Sequence, residues 1–118
     1  MSVVSKCVDE LLHAGLEDFI QAAEVVSIAY DVGRAATAWE ARDLALRMVR
    51  EVLMAGQMEI GDLKKEGFIA WDLEPDEALT RVEQEWSPPY LPALGEFFWL
   101  HNTKLGDVHG GHVERHAE

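Results

Sequence analysis

The residues best equipped for chemistry in this chain are the carboxylates of one short segment, Asp72, Glu74, Asp76, Glu77, Glu83 and Glu85. Carboxylates at close spacing can move protons or hold a hard metal ion. A glycosidase-like pair needs two of them in a shaped pocket, and a calcium loop needs regularly spaced oxygens around a glycine turn. Neither pattern is present, so these acids read as solvated residues at the start and on the outer face of a helix. The second cluster is His101, His109, His112 and His116, whose imidazoles suit zinc or nickel. His112 and His116 would share one face of a helix, but Gly110 and Gly111 oppose a helix there, and no cysteine or His-Glu-x-x-His spacing accompanies them. A polar, poorly packed tail with no metal is expected. His13 falls among solvent-facing positions of a helix and is expected to be incidental.

Nucleophilic chemistry finds no support either. Ser27 lies within a helical pattern, and Cys7, the single cysteine, has no neighbouring histidine or basic cluster to lower its pKa. It is expected to serve as a small buried hydrophobe. Gly61 and Gly67 do not make a phosphate-cradling loop. The sequence therefore predicts a protein that is not an enzyme and carries no cofactor.

Charge says more about partners. Asp and Glu number 22 against 10 Lys and Arg in 118 residues, a formal net charge of −12, and most of the excess flanks the one basic helix, which carries Arg42, Arg47 and Arg50 after Arg34. Such a field repels phosphate backbones and anionic membrane surfaces and attracts basic proteins within the reach of salt screening. The arginines are expected to pair with nearby acids, for example Arg47 with Asp43 or Glu51 at helical spacing. No apolar run approaches a membrane span, and the first residues lack the basic start and apolar stretch of a signal peptide. A soluble, cytoplasmic protein is the expectation.

The elements that must position these residues follow from periodicity. Val8, Leu11, Leu12, Leu16, Phe19, Ala23, Val26 and Tyr30 recur at helical spacing, with Gly15 leaving one helix or two open and Leu16-Glu17-Asp18 suited to opening the second. Asp31-Val32-Gly33 closes the segment on a left-handed glycine. Thr37 caps the next helix, with Glu40 three residues on, an apolar face of Ala41, Leu44, Ala45, Met48, Val49, Val52 and Leu53, and a stop at Gly56. The period then changes to two, and Gln57 to Leu63 with Gly67 to Trp71 reads as a β-hairpin turning at Lys64-Lys65-Glu66-Gly67. Pro75 opens a further helix, although Glu74 is a weaker cap than serine; Ala78, Leu79, Val82 and Trp86 line one side. Ser87-Pro88-Pro89-Tyr90-Leu91-Pro92 is a stiff loop. Glu96 to His101 reads as a last strand, with Phe97 and Trp99 on one face and Phe98 on the other.

The order of helices, hairpin, helix and strand predicts an α+β fold with a small antiparallel sheet, winged-helix-like in outline. One domain is expected over residues 1–107, followed by a Gly/His-rich tail at 108–118.

Ala14-Gly15-Leu16-Glu17-Asp18-Phe19, Leu44 to Arg50 leading into Ile60-Gly61-Asp62-Leu63, Gly67-Phe68, Trp71-Asp72-Leu73, Glu85-Trp86 and Trp99-Leu100 with Asn102-Thr103 together carry a resemblance. Over roughly residues 10 to 107 the chain resembles a group of small bacterial α+β proteins to which no activity is assigned. The resemblance implies a pattern of core and turn residues and no catalytic set. The chain departs from that pattern at Glu74 and in its proline-rich loop.

Aromatic residues rimmed by acids make a protein-binding surface, the aromatics supplying affinity and the charges speeding encounter. The expected function is an acidic protein-binding module, immunity- or antitoxin-like, that neutralises a basic toxin such as a nuclease. Asp72, Glu74, Asp76, Glu77, Glu83 and Glu85 would steer and pair with the partner, and Tyr90 and Leu91 would supply apolar contact. The alternative is a winged-helix-like nucleic-acid-binding regulator using Arg42, Arg47, Arg50, Lys64 and Lys65. Against it, the helix after the hairpin sets Asp76, Glu77, Glu83 and Glu85 against the single Arg81, a sign that repels phosphates. A homodimer built on the aromatic strand is compatible with either.

Overall fold

The structure, a computed structural model, describes residues 2–112. Helix α1 (Val3–Ala14) starts where the Ser2 hydroxyl accepts the Ser5 N–H at 3.0 Å and ends at Gly15. Two helices thus replace the single long pattern. Leu16-Glu17-Asp18 does not open the second; the chain passes through a turn and a two-residue strand, β1 (Ile20–Gln21), before α2 (Ala22–Asp31). At the end of α2 the left-handed residue is Arg34, with φ 60°, and not Gly33. Gly33 is needed for space instead, since a Cβ there would overlap Leu44 Cδ2 and the Ala29 carbonyl oxygen where α2 and α3 meet.

Helix α3 (Ala38–Met54) follows the sequence closely. Thr37 Oγ1 accepts the Glu40 N–H at 3.1 Å, and Gly56 leaves the helix in the left-handed conformation at φ 70°. Its expected face, Ala41, Leu44, Ala45, Met48, Val49 and Val52, is buried against α1, α2 and the next helix. Removing the cap hydroxyl in Thr37→Ala should lower unfolding stability by about 1 kcal/mol, because one first-turn N–H loses its partner. A urea denaturation midpoint unchanged from the native chain would contradict that role.

The hairpin is present as β2 (Met58–Lys64) and β3 (Gly67–Ala70), with Lys64 paired to Gly67 and Leu63 to Phe68. Helix α4 (Pro75–Glu85) begins with proline in its first turn and buries Ala78, Leu79 and Val82, with Trp86 fully enclosed just beyond. The last strand differs from expectation. β4 covers Trp99–Asn102 rather than starting at Glu96, because Phe97 takes a left-handed conformation (φ 71°) that breaks the alternation. Phe98 and Leu100 both enter the core, and Phe97 turns away to stack on Trp86 at 5.7 Å.

The four strands form one antiparallel sheet in the order β1-β4-β2-β3. β4 does not merely extend the hairpin; it sits inside the sheet, pairing Leu100 with Ile20 on one side and with Ile60 on the other. Ile20, Met58, Ile60, Leu100 and Asn102 are buried on the face toward the helices, while Glu59 and His101, cross-strand partners, are exposed on the opposite face. The fold is α+β as the sequence implied. Relative to the expected order of helices, hairpin, helix and strand, it adds a short strand, β1, at the edge of the sheet beside β4, and a helix after β4.

The chain after residue 103 is not a loosely packed tail within the described residues. Thr103 caps α5 (Lys104–Gly111), its Oγ1 accepting the Gly106 N–H at 3.2 Å. Of the two glycines that argued against a helix, Gly110 is what lets it pack, since a Cβ there would meet the Leu12 carbonyl of α1, while Gly111 faces open space; Gly106 is needed as well, because a Cβ on it would overlap the Gln57 carbonyl. His13 is correspondingly not incidental, its Nδ1 lying 3.3 Å from the Gly110 oxygen. Asn102, buried, donates from Nδ2 to the Leu12 oxygen at 2.9 Å and ties β4 to the end of α1.

Candidate protein-binding surface

Helix α4 carries most of the carboxylates singled out from sequence, and several are engaged within the molecule. Glu77 accepts the Glu74 N–H at 3.1 Å in a reciprocal capping arrangement, so Glu74 serves as a cap after all. Asp76 pairs with Arg50 at 3.2 Å and Glu85 with Arg81 at 3.4 Å, both exposed pairs of modest worth in water. Asp72 and Glu83 are exposed and point no side-chain oxygen at a protein partner among the described residues. Asp72 holds φ 58°, a conformation its short polar side chain tolerates better than most.

Two of the arginines of α3, Arg42 and Arg50, reach toward α4. Arg42 donates from Nε to the Trp86 carbonyl at 2.9 Å and from a terminal nitrogen to the Glu83 carbonyl at 3.3 Å. It therefore satisfies carbonyls that the end of α4 leaves without helical partners. Arg42 also reaches Asp43 at 4.0 Å, whereas the expected ion pair of Arg47 with Asp43 or Glu51 is not found among the described residues. Internal pairing holds for Arg42 and Arg50, with α4 supplying the partners.

The loop after α4 is the most elaborately built part of this face. Trp86 donates its indole N–H to the Tyr90 carbonyl at 2.7 Å, and the Phe97 ring stacks on Trp86 while meeting Tyr90 edge-on. One oxygen of Glu96 accepts both the Tyr90 hydroxyl at 2.6 Å and the Ala93 N–H at 2.7 Å. Gln21 of β1 accepts the Gly95 N–H at 2.5 Å. These bonds hold out an apolar knob: Tyr90 is 48% exposed, Leu91 44% and Leu94 84%. Leu94 escaped the sequence analysis because nothing local marks a leucine as the tip of a loop.

The same bonds set a pH window. The Tyr90 hydroxyl and the Ala93 N–H hold the Glu96 carboxyl below its ordinary value, and the hydrogen bond to Glu96 raises the Tyr90 hydroxyl above its own. A lowered carboxyl contributes at and above its unfolded pKa and loses that contribution as pH falls through the folded value. A raised phenol contributes at and below its unfolded pKa and loses it as pH rises through the folded value. The clamp is accordingly intact through neutral pH. The Trp86 indole and Tyr90 ring resonances should shift together at an acid midpoint below the ordinary carboxyl value of 4.5. Glu96→Gln should abolish that transition; a midpoint at or above the ordinary value would contradict the clamp.

The histidines are dispersed. His109 lies on α5, 2.8 Å from Asp9 of α1, and His101 lies on the open face of the sheet. His116 is outside the described residues. His101 instead joins an aromatic group that sequence spacing did not disclose. Its ring meets Phe19 edge-on at 4.9 Å and Phe68 at 5.5 Å, and Phe19 stacks on Phe68 at 5.8 Å. Beside them a cleft of about 190 Å³ runs from Gly15 to Phe19, bounded by His101 and Asp107. Cys7 is buried, and burial raises its thiol pKa, so it is a packing residue as expected.

Against known proteins, no family model, no curated protein and no solved structure matches this chain. No helix among the described residues is long and apolar enough to cross a membrane.

Proposed function

We propose that this chain is a non-enzymatic, acidic protein-binding module of the immunity or antitoxin kind, which neutralises a basic toxin such as a nuclease. The observation that supports this reading most strongly is the Tyr90-Leu91-Leu94 knob, held exposed by Glu96, Trp86 and Gln21 directly after an acidic helix. An apolar tip fixed before binding loses little conformational entropy on contact, so its buried area converts efficiently to affinity. Unpaired acids on and before α4, Glu83 near its C-terminal end and Asp72 ahead of its first turn, then steer a basic partner and fix its orientation. Asp76, Glu77, Glu74 and Glu85 contribute to the field while serving local bonds.

The test begins with the untagged native chain as bait in its own cells at low salt. A basic protein retained near equal stoichiometry is the expected product. On that partner, Leu94→Ser should weaken binding by about 2 kcal/mol, as for a central apolar contact. Glu83→Lys should chiefly slow association and flatten its salt dependence. Unchanged affinity and association rate in both variants would remove this surface from the account. Duplex DNA at low salt is the control ligand. Tight binding to it would favour the nucleic-acid regulator, for which Arg47, Lys64 and Lys65 remain as basic groups outside the α3–α4 contacts.

A further inference from the structure

The open face of the sheet is a second candidate surface, and its chemistry is more selective than net charge. Phe19, Phe68 and His101 come from a turn, β3 and β4, and converge only because β4 lies between β1 and β2. Among the described residues this face is left open: His101 and its cross-strand partner Glu59 are exposed, and Phe19 and Phe68 are half-buried. The adjoining cleft is lined by Glu17, Asp18 and Asp107 and by no lysine or arginine. Asp18, exposed at the mouth of this cleft, accepts the Phe19 N–H with one oxygen at 2.9 Å.

We propose that this aromatic face and its cleft receive an arginine side chain from a basic protein partner, the guanidinium lying on the Phe19, Phe68 and His101 rings and its N–H groups meeting Glu17, Asp18 and Asp107. Planar guanidinium is weakly hydrated, stacks on aromatic faces and presents several donors at once, whereas ammonium is a compact and strongly hydrated charge. Ring faces bordered by carboxylates on one side therefore favour arginine over lysine. The inference rests on the proposed reading of the chain as a binder of a basic protein, and it adds the side chain recognised and a site on a different face from the Tyr90 knob.

The experiment uses the full chain and two unstructured probes of equal length and charge, a glycine–arginine repeat peptide and the matching glycine–lysine peptide, titrated at low salt with NMR detection. The arginine peptide should shift the Phe19, Phe68 and His101 ring signals and bind about fivefold more tightly than the lysine peptide. Phe68→Leu keeps the apolar packing and removes one ring, and it should bring the two affinities together while leaving thermal unfolding nearly unchanged. Equal affinities in the native chain, or shifts that omit these three rings, would overturn the site. Shifts confined to Asp72, Glu83 and the Tyr90 loop would overturn it while leaving the proposed function standing. Absence of any shift at low salt would overturn the site and count against an acidic binding surface altogether.

Discussion

Trp86→Ala should destabilise the protein by about 3–5 kcal/mol, the range for deleting a large, fully buried aromatic side chain. Three roles meet in that one residue. Its ring is wholly enclosed in the core, its backbone carbonyl accepts from Arg42, and its indole N–H anchors the Tyr90 carbonyl. The alanine leaves a cavity beside Phe97 and frees the loop, so the knob and the core should loosen together. Against the ordinary stability of a domain this size, such a loss leaves little margin. Trp86→Phe separates the roles in part, since it keeps most of the volume and one aromatic ring while removing the indole donor. It should cost about 1 kcal/mol and release the Tyr90 loop selectively, visible as faster amide exchange at Tyr90 and Ala93 with exchange in α3 little changed. If Trp86→Phe left the loop amides as protected as in the native chain, the indole bond would not be what holds the knob.

The second large effect concerns a substitution that helix propensity alone favours. Gly106→Ala in an exposed helix would stabilise by about 1 kcal/mol. Here a Cβ would overlap the Gln57 carbonyl, which already accepts the Thr103 N–H at 3.0 Å. Backbone cannot rotate out of the way as a side chain can, so α5 must lift from the turn after α3. A net loss of about 1–3 kcal/mol is expected, the usual cost of overpacking, with exchange protection lost first in α5 and at the His13 contact. Gly111→Ala is the matched control, because its added methyl meets open space; it should be neutral or slightly stabilising. Equal stability of Gly106→Ala and Gly111→Ala in urea would show that α5 is not seated on the Gln57 turn.

These two residues also mark how far the sequence could be read. Trp86 was legible as a core position, because Ala78, Leu79, Val82 and Trp86 repeat at helical spacing and that spacing is a local property. The same holds for the Thr37 cap, the Gly56 stop, Pro75 in the first turn of α4 and the two-residue turn of the hairpin. The glycines of α5 were misleading, since Gly110 and Gly111 argue against a helix in the sequence, where contact with Gln57 at Gly106 and with Leu12 at Gly110 is what requires small residues. The place of β4 was hidden for a related reason. Its pairing with Ile20 and with Ile60 is a long-range choice that no window of sequence contains, and a left-handed Phe97 shifts where the strand begins.

The candidate surface was legible in part. Tyr90 and Leu91 do project, as the proline-rich loop suggested, but what fixes them is Glu96 and Gln21, distant in sequence or read as strand. The acids in and before α4 lie on its exposed side as expected, yet four of the six are engaged by their own chain: Glu74 and Glu77 cap the helix, and Asp76 and Glu85 meet arginines. Charge counting cannot separate a carboxylate occupied by its own chain from one left for a partner. Asp72 and Glu83 carry that distinction only once the structure is seen.

The most direct test of the central claim is a side-by-side capture at low salt from the protein's own cells, with the native chain and the double variant Glu83→Lys/Leu94→Ser as baits and mass spectrometry of what each retains. The account predicts one basic protein held near equal stoichiometry by the native chain, released by added salt and absent from the variant. Equal retention by both baits, or recovery of nothing but the chain itself, would contradict it.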